Sequence, residues 1–198
     1  MGENFFWYLT RSSALVGYFL LWISIFLGLS IRTPLLNRII KPIYSYKVHC
    51  WISLQALIFV LIHGLSLLGD KYVGFTLGNI FIPFFPQTAL GVDMSFLALG
   101  IISFYIMLIL VVTSYFRNNL SHSLWRGVHF LNIGLFVIVF IHALYLGTDM
   151  KSGLIRFAFI YANVFLAILF IINLIARTIK TFQKNENLHQ SDSEVIEE

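Results

Sequence analysis

Charge is what this chain has least of. Asp, Glu, Lys and Arg make up 11% of its 198 residues, where a soluble domain carries about 25%. The few charges gather in short runs between long apolar stretches, and 59% of the residues are hydrophobic, with a mean hydropathy of +0.85. Cysteine is nearly missing too. Cys50 stands alone, which excludes a disulfide framework, a Cys-x-x-Cys pair and the Cys-x-x-Cys-His sequence of covalent porphyrin attachment; it reads as a small packing residue. The formal charge of +4 has no contiguous basic patch behind it, so nucleic acid is not expected as a partner and membrane topology accounts better for the excess. There is no Gly-rich dinucleotide fingerprint, no nucleophile triad and no carboxylate pair suited to acid–base catalysis. The apolar opening does not read as a removable signal peptide, because Glu3 and Arg11 replace a basic leader and the run continues too far.

What is present is length without polarity. Five segments, approximately 12–31, 48–69, 94–116, 127–147 and 153–176, each offer about 20 predominantly apolar residues, enough to span a bilayer. The fold expected is an all-α membrane protein, a bundle of five transmembrane helices in one domain. Lysine and arginine set its orientation. One side holds Arg32, Arg38, Lys41, Lys47, Arg117, Arg126, Arg177, Lys180 and Lys184; the other holds Arg11, Lys71, Lys151 and Arg156. Nine against four puts the N-terminus outside and the C-terminus in the cytoplasm. Spans two and four then run in the same direction.

Those two spans carry four histidines. His49 and His63 are 14 residues apart, His129 and His142 are 13 apart, so each pair covers roughly 20 Å of helix at about 1.5 Å per residue. His49 and His129 follow Lys47 and Arg126 closely, and both belong at the cytoplasmic boundary. His63 and His142 fall near the outer face. Ionisable groups at membrane depth are costly and mark function by default. Two imidazoles facing each other at one level suit the axial positions of a heme iron, and without a Cys-x-x-Cys-His sequence any heme would be held non-covalently, as in b-type cytochromes. A proton channel or zinc carrier would be expected to add Asp or Glu within these spans; neither span has one. His122 and His189 lie in a loop and in the tail and are not expected as ligands.

One detail resists. At about 100° per residue, 14 residues return to within roughly 40° of the starting face, but 13 miss it by about 140°. Span four must be distorted, with Asn132 or Gly134 as plausible places, or its two rings must approach their centres from different angles. The segment 70–93, with Pro83 and Pro86 among Phe81, Phe84 and Phe85, reads as a short interfacial helix or a cap folded back over the outer site. Arg126 and Arg156 lie near the inner and outer faces, where heme propionates would emerge, though both also suit plain snorkelling. Gly64, Gly100 and Gly134 could admit a porphyrin or serve ordinary helix contacts.

The two histidine intervals, with Trp125-Arg126-Gly127-Val128-His129 running on to His142, resemble the ferric reductase-like transmembrane domain, over roughly residues 5–176. The opening Tyr8-Leu9-Thr10-Arg11-Ser12-Ser13-Ala14-Leu15-Val16-Gly17-Tyr18, the run Tyr72-Val73-Gly74-Phe75-Thr76-Leu77 and Gly147-Thr148-Asp149 add to a likeness with stand-alone bacterial members. The polar, acidic composition of 183–198 reads as a disordered cytoplasmic tail, and the resemblance implies a heme domain over 1–182. It implies two b hemes, each held by one histidine from each of two helices (His49 with His129, His63 with His142), and an oxidoreductase component of a bacterial plasma membrane. Many members have six spans and an appended flavin and nicotinamide domain, neither of which is evident here. The electron donor implied is therefore a quinol, a flavin reductase or another protein, or FMN or quinone bound to the membrane domain. The outer acceptor is ferric iron, oxygen or a partner protein. Two other readings stay open: a heme subunit that feeds a separate soluble oxidoreductase, and a non-heme transporter using the histidines directly.

Overall fold

The computed structural model describes residues 2–31, 42–71, 73–85, 92–151 and 153–197. Arg32, Arg38, Lys41, Tyr72 and Pro86 lie outside the described residues, as do the side chains of Lys180, Lys184 and the acidic residues near the C-terminus. All regular structure described is helical: α1 (Gly2–Ser30), α2 (Pro42–Ser66), α3 (Leu77–Phe81), α4 (Met94–Tyr115), α5 (His122–His129), α6 (Leu131–Leu146) and α7 (Leu154–Glu197). Five stretches are long and apolar enough to cross a bilayer, namely Phe5–Ser30, Tyr46–Ser66, Met94–Tyr115, His122–Leu146 and Leu154–Gln183. They coincide with the five expected spans, and the chain is an all-α integral membrane protein. The α7 backbone stays helical to Glu197, through the polar segment that reads as a tail.

Helices form because a bilayer leaves backbone amides no other partner. The same demand falls on side chains inside the bundle, and serine and asparagine meet it locally. Ser30 Oγ donates to Phe26 O (2.8 Å), Ser103 Oγ to Gly100 O (2.7 Å) and Asn173 Nδ2 to Leu169 O (3.0 Å), each returning its proton to the preceding turn of its own helix. Helix starts at the water boundary use side-chain caps: Asp93 accepts from Ser95 N (2.8 Å) and Ser121 from Leu124 N (3.3 Å). Phe19, Ile109, Ile168, Ile171 and Ile175 point away from the bundle, an apolar surface that lipid would cover.

α1 lies along α2 and α4 along α6, and α2 also meets α4. Leu21, Ala56, Met107, Leu110 and Leu135 form the shared core. Small residues set the spacing: Ala56 is fully buried, and a methyl added at Gly17 would lie 3.3 Å from Val60 Cγ2. α7 is tied to α1 by Trp22 Nε1–H donating to Ala162 O (3.1 Å) and by the Tyr18 hydroxyl donating to Asn163 Oδ1.

Near the start of α1, Arg11 crosses to Asp149 in the turn Thr148–Met150 that joins α6 to α7. Nε donates to Oδ2 (3.1 Å) and Nη2 to Oδ1, while the guanidinium sits 4.1 Å from the centre of the Trp7 ring. A two-pronged carboxylate and an aromatic face are both favourable settings for arginine. The pair holds the first span to the last connection of the bundle. Asp149→Ala should therefore cost about 1–2 kcal/mol, as loss of a charged hydrogen bond does, and lower the thermal midpoint of the detergent-purified protein. The double variant Arg11→Met/Asp149→Ala should lose less than the sum of the two single changes; strictly additive losses would show the pair to be uncoupled.

Candidate functional site

Both histidines of α2 lean on α1. His63 Nδ1–H donates to Thr10 O (3.0 Å) and His49 Nδ1–H to Ser24 O (2.8 Å). A carbonyl only accepts, so the proton sits on Nδ1 and the lone pair is left on Nε2. The acceptors are 14 residues apart on one helix, the donors 14 apart on its antiparallel neighbour, so one rail of carbonyls orients both rings. His142 follows the same rule against α4, donating from Nδ1 to Phe96 O (2.8 Å). In each case the residue one helical turn beyond the acceptor is small: Ala14 after Thr10, Gly28 after Ser24, Gly100 after Phe96. The reason is steric. A ring can reach a helical carbonyl only where the next turn has no bulk. A methyl at Gly28 would lie 3.4 Å from His49 Cε1, and one at Gly100 would overlap the His142 ring outright.

The fourth span accounts for part of the rotation problem. It is two helices in line, α5 ending at His129 and α6 beginning at Leu131. Phe130 N–H is shared between Arg126 O (3.1 Å) and Gly127 O (3.2 Å), and Ile133 N–H reaches back three residues to Phe130 O (3.2 Å). Such tightened turns rotate about 120° per residue instead of 100°, which recovers part of the mismatch. The distortion sits at Phe130, ahead of Asn132 and Gly134, where the tightening needs no glycine. Gly134 faces open space.

The rings meet as their levels require. His49 and His129 have ring centres 6.4 Å apart with planes at 72°, and Trp125 stacks on His129 at 5.1 Å. His63 and His142 both line a cavity of about 430 Å³, within the range of small-molecule sites. Its walls are mostly apolar, with Leu21, Met107, Val139 and Phe159 at depth and Gly64 and Gly100 among them. The segment after α2 folds back across this cavity. Val73, Phe75, Asn79, Ile80 and Phe81 line it, Thr76 N–H and hydroxyl both donate to Asn79 Oδ1 (3.0 and 2.7 Å) to start α3, and Tyr105 OH anchors the end of α3 through Phe81 O (2.9 Å).

The three arginines towards the ends of the bundle differ in their surroundings. Arg126 is exposed on α5. Arg156 Nη1 donates to Met150 O (2.8 Å) and is not among the cavity's lining residues. Arg11 does line it, together with Asp149 and Thr10. Sequence alone assigns Arg11 no site role, since it falls just ahead of the expected first span; the helix begins earlier and carries it within the stretch Phe5–Ser30. Thr10 and Ser24 were missed as well; their interval of 14, equal to that of His49 and His63, was the available clue.

Two imidazoles fit heme better than a bare metal ion. Among the described residues no three His, Cys, Asp or Glu side chains converge, whereas a zinc site needs three or four protein ligands. A porphyrin supplies the remaining donors and leaves two axial positions for histidine. His49 and His129, with ring centres 6.4 Å apart, and His63 with His142 on one cavity are the residues that would hold it.

A model of the family described as ferric reductase like transmembrane component matches residues 13–142, well over half of the chain. No curated protein and no solved structure matches it. The matched stretch begins just after Arg11 and ends at His142, so it takes in all four histidines. The two central glycines should separate experimentally. Gly100→Ala pushes into the His142 ring and should lower the thermal midpoint, while Gly134→Ala meets nothing and should hold or raise it, since glycine inside a helix costs about 0.5–1 kcal/mol relative to alanine.

Proposed function

The chain belongs to the ferric reductase-like transmembrane component family, a membrane electron-transfer component, and we propose that it moves single electrons across the bilayer through two b-type hemes stacked between α2 and the α5–α6 rod. The observation that carries this reading is the level-by-level meeting of histidines: His49 against His129 at 6.4 Å, and His63 with His142 on one cavity. In this reading His49 and His129 hold the cytoplasmic heme and His63 and His142 the outer one, with the N-terminus outside. Heme supplies one-electron chemistry, its iron alternating between ferric and ferrous. The residues do the rest.

An imidazole from each of two helices would hold a heme at each level and leave no ligand position for substrate, so the histidines would hold and tune rather than activate. The helix carbonyls at Thr10, Ser24 and Phe96 hold Nδ1–H and aim Nε2 inward. Leu21, Met107, Val139 and Phe159 keep water from the outer site, and the 73–81 segment covers it. Arg126 and Arg156 stand towards the two ends as partners for the propionates. Electrons enter at the His49–His129 level from a quinol, a flavin reductase or FMN held by the membrane domain, and leave beneath the cap to ferric iron or a partner protein. If chemically reduced protein fails to reduce ferric chelates, the outer acceptor is a separate oxidoreductase that this chain feeds.

Purified protein should show a b-type reduced-minus-oxidised difference spectrum with two hemes per chain. His63→Ala and His142→Ala should each leave about one, and their double variant should lose no more. His49→Ala and His129→Ala should remove the other. A pairing that crosses these groups, or a spectrum without b-type bands, sinks the proposal.

A further inference from the structure

The two α2 histidines are held alike, with one difference. At each level a hydroxyl residue of α1 gives its carbonyl to Nδ1–H and its hydroxyl to a serine of α2. Thr10 Oγ1 lies 2.7 Å from Ser66 Oγ, which donates to His63 O (2.8 Å); Ser24 Oγ lies 2.6 Å from Ser53 Oγ, which donates to His49 O (2.7 Å). Only at the second level does the α1 hydroxyl also reach the ring: Ser24 Oγ is 3.1 Å from His49 Nδ1.

Proton counting orders this cluster. A hydroxyl has one hydrogen. That of Ser53 is spent on His49 O, so in the Ser24–Ser53 contact Ser24 must donate. Ser24 Oγ then has no hydrogen left for the ring and can only accept from Nδ1–H. His49 therefore donates to two oxygens of one residue, Ser24 O and Ser24 Oγ, and the second is polarised by its own bond to Ser53. The loop closes on the backbone of His49 itself. Ser24 is 3% exposed, so water does not compete, and polarised chains strengthen in a low dielectric.

We infer that Ser24 is a positioning residue that makes His49 the more basic of the two α2 ligands and so lowers the potential of the cytoplasmic heme relative to the outer one. The inference rests on the heme reading proposed above. An imidazole that donates more strongly from Nδ1 is a better electron donor at Nε2, which favours the ferric form, and ligand hydrogen bonding is an established lever on heme potential. His63, with a single carbonyl acceptor, lacks this addition. The difference points downhill from the His49 level to the His63 level.

The test is a redox titration of purified, heme-loaded protein, followed in the b-type bands. Ser24→Ala should keep both hemes and raise one midpoint, by about threefold in the reduction equilibrium, roughly 30 mV at about 59 mV per tenfold for one electron. The step that moves must be the one absent in His49→Ala. Ser24→Thr, which keeps the hydroxyl, should restore the original midpoint, and Ser53→Ala should move the same step in the same direction by less. Selective loss of that heme in Ser24→Ala would show a structural support instead of a tuning contact and counts against the inference. Unchanged midpoints, or an equal shift in both, overturn it. Wild-type protein that binds no heme would instead remove the reading beneath it.

Discussion

An imidazole in a bilayer has two nitrogens to account for and no water with which to do so. One ring nitrogen carries hydrogen and must find an acceptor; the other carries a lone pair and must find something to donate it to. Here helix carbonyls settle the first at His49, His63 and His142. These carbonyls already serve their own helices, so the ring has to reach a second lone pair on an oxygen that faces along the helix surface. That is possible only over a gap in the side chains. The arrangement of α1 beside α2, and of α4 beside α6, is thus set by where a backbone oxygen can be approached, and the choice of alanine or glycine one turn on follows from it. With Nδ1 committed, Nε2 is the only basic atom left.

The five spans were legible in the sequence because length of apolar run is a quantity a sequence carries directly, and the residue intervals likewise anticipate that His49 lies beside His129 and that His63 and His142 share a cavity. The rotation of His129 relative to His142 was not. Thirteen residues on a regular helix give the wrong face, and the tightening at Phe130 depends on backbone hydrogen bonds that no side chain announces. The role of Arg11 was hidden for another reason. It pairs with Asp149, 138 positions away, and only the packing of α1 against the α6–α7 connection brings the two together. Arg156 shows the converse: its position in the chain suits the cavity, yet its guanidinium turns to Met150 O.

Hydroxyl residues were the least legible and prove among the most informative. Serine in an apolar span ordinarily returns its proton to its own helix, as Ser30 and Ser103 do, so Ser24 and Ser53 look unremarkable along the chain. Only side by side do they form a directed series ending at a ligand. Thr10 and Ser66 form a near copy at the other level. Two similar supports that differ in one contact are a simple means of making two otherwise equivalent centres unequal.

The antiparallel fit of α1 on α2 has a last consequence. Because one rigid rod grips both rings of the other at matched intervals, neither centre can slide along the bundle without the other. Their separation is a ruler cut from 14 residues of α-helix, about 21 Å of rise. Under the electron-transfer role proposed above, that rise would fix the distance between the two centres in backbone geometry alone.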